Sequence, residues 1–338
     1  MRTFLLRRLL LAVVVLFGVS VFTFLAARVV PADAAAKWVG PKATAAQIAR
    51  ARIYLGLNDP LPVQYLRYLS GLVRGDWGES VVTHQPVLGD IKAYLPPSLE
   101  LLVLSSLLAM AVGIPLGILS ARYQDRIPDQ LSRLVAITGV SVPSFWLALL
   151  LQLLFFQKLK LLPVGGRLDS VFRLAHSVPV MTGSYVLDGL LAGDWALVGS
   201  ALKHLILPAV TLAAYPIGLV TRMVRSSMTE VLGEDHIRAA RAMGIPNRTI
   251  LGRYALKPAM GPTATVLALS MAYSLSGTFL IEAVFAWPGL GRYAAGALIA
   301  ADYPAIMGVT VLVAIAYVVL NLIVDLVHAW LDPRISLR

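Results

Sequence analysis

Asn321, Asp325 and His328 fall on one face of a helix, inside an apolar run from Ile306 to Trp330. Ionisable groups in such a run are candidates for a proton relay or an ion path. Asp325 and His328, however, lie two turns or less from an Arg-rich tail, where a structural cap or an ion pair is the simpler role. Glu282, near the end of the apolar run Met260 to Phe285, is expected to be wetted. Glu100, at the mouth of another run, reads as a boundary residue within reach of a ligand. Hydrolytic chemistry finds no support: neither H-E-x-x-H nor G-x-S-x-G occurs, and His84, His176, His204, His236 and His328 are scattered without metal-ligand spacing. The chain has no cysteine, which excludes disulfides and thiolate metal sites. It also lacks G-x-x-x-x-G-K-[ST], so any work it performs draws on a partner or an ion gradient.

The elements that hold these residues belong to a membrane protein. Apolar residues make up 58% of the 338 and charged residues 14%, against about 25% charged in soluble domains. A span needs about 20 mostly apolar residues. Six segments qualify as candidates: Leu9 to Ala27, Leu99 to Ser120, Leu134 to Phe156, Leu205 to Val220, Met260 to Phe285 and Ile306 to Trp330. The fourth is short and expected to be broken by Pro208 and Pro216. The first follows Arg7 and Arg8 and precedes "ADA" (Ala32 to Ala34), which resembles a signal-peptide cleavage site. Its run of 19 mostly apolar residues exceeds the roughly 7–15 of a signal core, so it is expected to be retained as a span.

Six spans put both termini on one side. With that side cytoplasmic, the inner segments carry 15 Lys and Arg in 67 residues and the outer ones 14 in 137. This twofold bias follows the positive-inside rule. It accounts for the net charge of +11 without nucleic acid as a partner.

The outer segment before the second span (31–96) is too long for a bare loop. "ATAAQIARARIYLGL" and "PVQYLRYLSGLVRG" have the spacing of two short amphipathic helices, followed by the turn-rich "GDWGES". A small external helical cap is expected, either shaping a pathway mouth or serving only as a packing lid. A second outer segment, Lys158 to Lys203, is loop-rich. In the third span, "SVPSFW" joins Pro143 to Ser141 and Ser144, which suits a break lining a cavity or a packing kink. In the fifth, Ser270, Ser274 and Gly277 of "SMAYSLSG" allow close helix contact, along a pathway or against a partner.

The most polar long stretch, "RSSMTEVLGEDHIRAARAMGIPNRTILGRYALKPA" (Arg225 to Ala259), then lies in the cytoplasm between spans four and five. Glu234 and Asp235 sit where a helix would begin, against its positive end. "HIRAARAM" reads as helix, with Ile237, Ala240 and Met243 in one row. Gly244 suits the residue after a helix end, and Pro246 suits the opening of the next helix. The small residues would admit a close partner surface, ringed by Arg238, Arg241, Arg248 and Arg253. On spacing alone, a solvated basic loop that only sets topology is an equal reading.

This stretch resembles the cytoplasmic "EAA" loop of permease subunits in binding-protein-dependent ABC importers, E-A-A, three residues, Gly, nine residues, I-x-L-P. Ala239, Ala240 and Gly244 match; Arg238 takes the Glu position, and "YALKP" (Tyr254 to Pro258) brings its proline one place late. The departure is similar to the dipeptide/oligopeptide branch. "SVPSFW", "LPVGGR" (Leu162 to Arg167), "FAWPGLGR" (Phe285 to Arg292), "DYP" (Asp302 to Pro304) and "NLIVDLVHAWLDPR" (Asn321 to Arg334) extend the likeness over most of the chain.

The resemblance implies an all-α polytopic permease of the B type, organised as residues 1–30, an external segment 31–96 and a core 97–338 that contains the coupling loop 222–258. It implies a bacterial plasma membrane protein that pairs with a paralogous permease subunit and with one or two ABC ATPase subunits. An external substrate-binding protein would deliver dipeptides or short oligopeptides, and ATP and Mg would bind the ATPase partners, leaving this chain without a cofactor, metal or catalytic site. It implies that Glu234, Asp235, Ile237, Arg238, Ala239, Ala240, Arg241, Met243, Gly244 and Arg248 meet the ATPase. Nickel chelates, glutathione, haem and oligosaccharides are alternative cargoes for the same architecture. A proton-coupled secondary carrier is the rival mechanism, though no inverted repeat is visible to support it.

Overall fold

The computed structural model describes residues 2–29, 34–40, 42–175, 178 and 181–331. In chain order the helices are α1 (Arg2–Val29), α2 (Ala34–Val39), α3 (Ala45–Tyr54), α4 (Leu61–Arg74), α5 (Val87–Arg122), α6 (Ile127–Ser141) and α7 (Ser144–Leu151), the last continuing as a π-helical stretch Gln152–Lys158. There follow α8 (Ser170–Ala175), α9 (Tyr185–Ala192), α10 (Trp195–Leu232), α11 (Asp235–Ala242) and α12 (Asn247–Thr249), then a π-helical stretch Ile250–Ala255. The chain closes with α13 (Leu256–Gly277), α14 (Phe279–Val284), α15 (Leu290–Ala300) and α16 (Tyr303–Leu331). Among the described residues the only strand-like pairing is an isolated bridge, Glu79 with Pro86. The expected all-α class holds.

Among the described residues four helices are long and apolar enough to cross a membrane: Leu6–Arg28, Val87–Arg122, Trp195–Leu232 and Tyr303–Val327. The third expected span is α6 followed by α7 and its π-helical extension, bent by 106° at the break. Pro143 causes the bend, because the residue before a proline is driven out of the α region: Val142 has φ −80° and ψ 126°. The fifth expected span corresponds to α13, which is 22 residues long but diluted by Pro258, Gly261, Pro262, Thr263 and Thr265. The second and fourth segments run longer than their apolar cores. α5 begins at Val87, ahead of Leu99, and carries Pro96 and Pro97 inside it; α10 reaches 38 residues with Pro208 and Pro216 inside it.

Two compact units divide the chain. One contains residues 2–95 and 292–318. In it the two expected amphipathic helices form as α3 and α4, and Thr44 closes a capping box with Gln47 at the start of α3. α4 lays Tyr65 against Phe17 and Phe24 of α1, with a hydrogen bond of 2.8 Å between the Ser20 and Tyr65 hydroxyls. The "GDWGES" turn is fastened by the buried Asp302 carboxylate, which accepts from the Ser80 hydroxyl at 2.6 Å and from the Val82 amide at 3.2 Å. The same side chain accepts from the Ala305 amide at 3.2 Å and so caps α16, giving "DYP" a structural purpose. Nearby, the Tyr293 hydroxyl donates to Asp90 at 3.0 Å. Burial, followed by the Asp90 charge, raises the Tyr293 pKa and keeps the phenol a donor.

The other unit contains residues 96–291 and 319–338. α10 is its axis, and glycines bring its neighbours to backbone distance. A Cβ on Gly218 of α10 would overlap the Ala136 carbonyl of α6, and one on Gly139 of α6 would overlap the Ala214 carbonyl of α10. Gly113 and Gly117 of α5 do the same against Val220 and Val224. In a membrane, where lipid is as apolar as a leucine surface, this close approach is what holds helices together.

Candidate functional site

The polar segment folds as its residue order requires. Glu234 is the N-cap of α11, and Met243 is its C-cap. Gly244 follows with φ +72°, the left-handed conformation that glycine adopts without strain, and Pro246 is the N-cap of α12. Ile237 and Ala240 are fully buried, in one apolar cluster with Met228 and Val231 of α10 and with Ile250 and Ala255. They therefore fasten α11 to its own chain rather than offering it to another. Met243, the third member of the expected row, is 72% exposed.

What faces outward is a continuous polar surface. Glu234, Asp235, Arg238, Ala239, Arg241, Gly244 and Arg248 are all exposed. Arg238 pairs with Asp235 at 2.8 Å, and His236 lies 3.0 Å from Glu234. Exposed pairs of this kind add little stability, so the surface is built without internal need for it.

The residues expected along a pathway separate. Ser144 and Ser274 line one cavity of about 150 Å³ beside the Pro143 break, together with Thr211, Tyr215 and Tyr273. Ser141 is exposed at the end of α6, and Pro143 is the N-cap of α7. Ser270 is buried and donates to the Val266 carbonyl of its own helix at 2.8 Å. Gly277 is the last residue of α13, and neither it nor Ser276 has a described environment.

Two carboxylates correct the expectations drawn from position. Glu282 is not wetted: it has no exposed surface and accepts from the Ser98 hydroxyl at 2.7 Å. Gly289 and Gly291 leave room for it, since a Cβ on either would collide with the carboxylate or with Thr278. Glu100 is not a free boundary residue. It receives Arg167 at 2.7 Å, the Ser184 hydroxyl at 2.9 Å and the Val186 amide at 2.9 Å. Arg167 stacks over Tyr185 at 4.0 Å and stands 5.6 Å from the Trp287 ring. Trp287 in turn donates to the Pro97 carbonyl at 3.0 Å, and the Gly166 amide donates to the Phe285 carbonyl at 2.8 Å. "LPVGGR" and "FAWPGLGR", remote in sequence, are thus halves of one fastening. On α16, Asp325 is half-buried, and the side chain of His328 lies outside the described residues. No group of three or more His, Cys, Asp and Glu arranged to hold a metal exists among the described residues.

The spacing of residues gave no sign of a further ion pair, between the buried Asp129 and the half-buried Arg225. Arg225 grips Asp129 with two nitrogens, at 2.8 and 2.9 Å, and the Ser120 hydroxyl and Asp125 amide also donate to that carboxylate. The partners are 96 residues apart, and no local pattern links them. Gly113 and Gly117 did carry a signal, the small-xxx-small spacing of close helix pairs.

Asp188 in α9 gives the segment 181–192 a measurable pH dependence. Burial pushes its pKa up, but the Thr182 hydroxyl and the amides of Thr182, Met181 and Gly183 outweigh this and hold it below the usual value. A depressed carboxylate contributes stability above its unfolded pKa of about 3.9 and loses it as pH falls toward the folded value. The difference in thermal midpoint between wild type and Asp188→Asn is expected to stay constant from pH 8 to 5 and to shrink only below about pH 4. A difference already shrinking between pH 7 and 6 would contradict this assignment.

Exposed apolar helices, a proline-broken span beside a small cavity and a polar helix carried on the end of a long apolar one together define a polytopic helical membrane protein. The sequence model of the "Binding-protein-dependent transport system inner membrane component" family matches residues 113–337, and the N-terminal model of the same kind of membrane component matches 1–101. The chain belongs to this family. It is 47% identical over 324 residues to the probable D,D-dipeptide transport system permease protein DdpB of Escherichia coli K12, covering 96% of this chain and 94% of that one. It is 39% identical to the dipeptide transport system permease protein DppB of Alkalihalophilus pseudofirmus, over 99% and 100% of the two chains. It is 34% identical to the glutathione transport system permease protein GsiC of Salmonella paratyphi A, over the full length of both.

Proposed function

We propose that this chain forms half of the translocation pathway of an ATP-driven importer for dipeptides or short oligopeptides. A paralogous permease subunit supplies the other half, an external binding protein delivers the substrate, and one or two ATPase subunits bind ATP and Mg. Six spans would place both termini in the cytoplasm, with the helices of 31–96 as an outer cap. The peptide cargo is supported by relatives whose names specify D,D-dipeptide and dipeptide transport, at 47% and 39% identity over nearly full length. Glutathione, itself a tripeptide, is the second reading, favoured by the relative at 34% identity.

One observation carries the coupling role: α11 buries Ile237 and Ala240 in its own chain and turns an exposed, charged surface outward. That surface would seat against an ATPase subunit through Asp235, Arg238, Ala239, Arg241, Met243 and Gly244, so that nucleotide-driven closure moves α11 and the helices joined to it. Ser144 and Ser274, on the cavity beside the Pro143 break, support a pathway lining there; Ser141, Pro143, Ser270 and Gly277 are proposed for it from the sequence alone.

Gly244→Val tests the coupling role. No atom lies within 4 Å of the new Cβ, so the cost arises from φ +72°, which a β-branched residue resists by about 1–2 kcal/mol. The substitution is expected to shift the end of α11 and reduce uptake while ATP hydrolysis by the assembled complex continues. Wild-type uptake by a Gly244→Val complex present at normal levels would sink the claim.

A further inference from the structure

We infer that the pair formed by the buried Asp129 and the half-buried Arg225 is the joint through which movement of α11 reaches α6 and, along it, the broken span beside the cavity. The inference rests on the coupling role proposed for α11. α11 follows α10 after only Gly233 and Glu234, and Ile237 and Ala240 share a core with Met228 and Val231 of α10, so the two helices move together. Arg225 stands on α10 two turns before its end. Asp129 stands in the first turn of α6 and has no exposed surface.

A bidentate guanidinium–carboxylate pair fixes orientation as well as distance, which a single hydrogen bond or an apolar contact does not. Here the fork is closed from both sides. The Ser120 hydroxyl at the end of α5 and the Asp125 amide of the connecting turn occupy the remaining acceptor positions of Asp129. The far end of α6 is Ser141, next to the Val142–Pro143 break, where Gly139, Val142 and Ser144 line the cavity. α6 also meets α10 at the Gly139 and Gly218 backbones, where a Cβ on either glycine would overlap a backbone carbonyl of the other helix. A rigid helix gripped at its first turn and abutting a hinge at its last can carry a displacement from one end to the other. Asp129 and Arg225 are thus positioning residues: they touch neither cargo nor nucleotide.

The test uses the whole complex in proteoliposomes, with peptide uptake and ATP hydrolysis measured on the same preparation. Asp129→Asn combined with Arg225→Gln removes both charges at once, leaving no lone buried ion to unfold the chain. The expected result is continued ATP hydrolysis with about tenfold less peptide moved per ATP. A double variant that moves peptide at the wild-type ratio would overturn the inference and leave the pair a mere fastener. If that variant does not assemble, Arg225→Lys is read the same way, since it keeps the charge and loses the fork. Gly244→Val in parallel keeps the two claims apart. If Gly244→Val transports normally, the role of α11 fails; if Gly244→Val uncouples and the double variant does not, only the joint fails.

Discussion

Arg167→Met is expected to destabilise the permease by about 3–5 kcal/mol, the usual cost of leaving one partner of a buried ion pair alone. Both side chains are nearly buried, with 10% of Arg167 and 5% of Glu100 exposed. Methionine keeps the apolar stem of arginine, so the loss falls on the guanidinium, its charge and its hydrogen bonds. Glu100 would keep the Ser184 hydroxyl and the Val186 amide but lose its counter-charge. The Gly183 carbonyl would lose the donor that now stands at 2.8 Å, and the Tyr185 and Trp287 rings would lose their cation. The expected readout is a sharply lowered thermal midpoint in detergent and little chain in the membrane. Combining Arg167→Met with Glu100→Gln should restore part of the loss, since no lone charge remains. Wild-type stability in Arg167→Met would show that the fastening between 162–167 and 285–292 does not depend on this pair.

Gly218→Ala ranks next, with an expected cost of about 1–3 kcal/mol from overpacking. The added methyl would meet the Ala136 carbonyl inside contact distance and Val140 Cγ2 at 2.7 Å. Helical backbone on both sides cannot move aside without separating α6 from α10. Gly199→Ala, on the same helix, supplies the control. Nothing lies within 4 Å of its Cβ, and alanine favours helix by about 1 kcal/mol, so stability should hold or rise. Equal effects at the two positions would contradict the close α6–α10 contact.

The sequence exposed the parts of this protein whose physics is local. Hydropathy located the apolar helices, because every turn of α1 or α16 carries the same signal. The limits of α11 were legible as Glu234, Asp235 and Gly244, because caps and left-handed turns are properties of single residues. Span lengths were not legible. Pro208 and Pro216 suggest breaks, yet α10 runs through them, as spans can where neighbouring groups satisfy the freed carbonyls. The burial of Ile237 and Ala240 was likewise hidden: their spacing marked a face, and only the packed core of α10 shows which way it points. Glu282 and Glu100 were misplaced because a carboxylate at the end of an apolar run is indistinguishable, by position alone, from one clasped by residues more than sixty positions away.

The central claim is that this chain works as one subunit of an ATP-driven peptide importer. Affinity purification of the tagged chain from its native membrane, with identification of the co-purifying subunits and assay of peptide uptake after reconstitution, tests it most directly. The expected result is recovery of a second permease and one or two ATPases, with uptake that requires ATP and the external binding protein. Recovery of this chain alone, transporting without ATP and driven by a proton gradient, would contradict it.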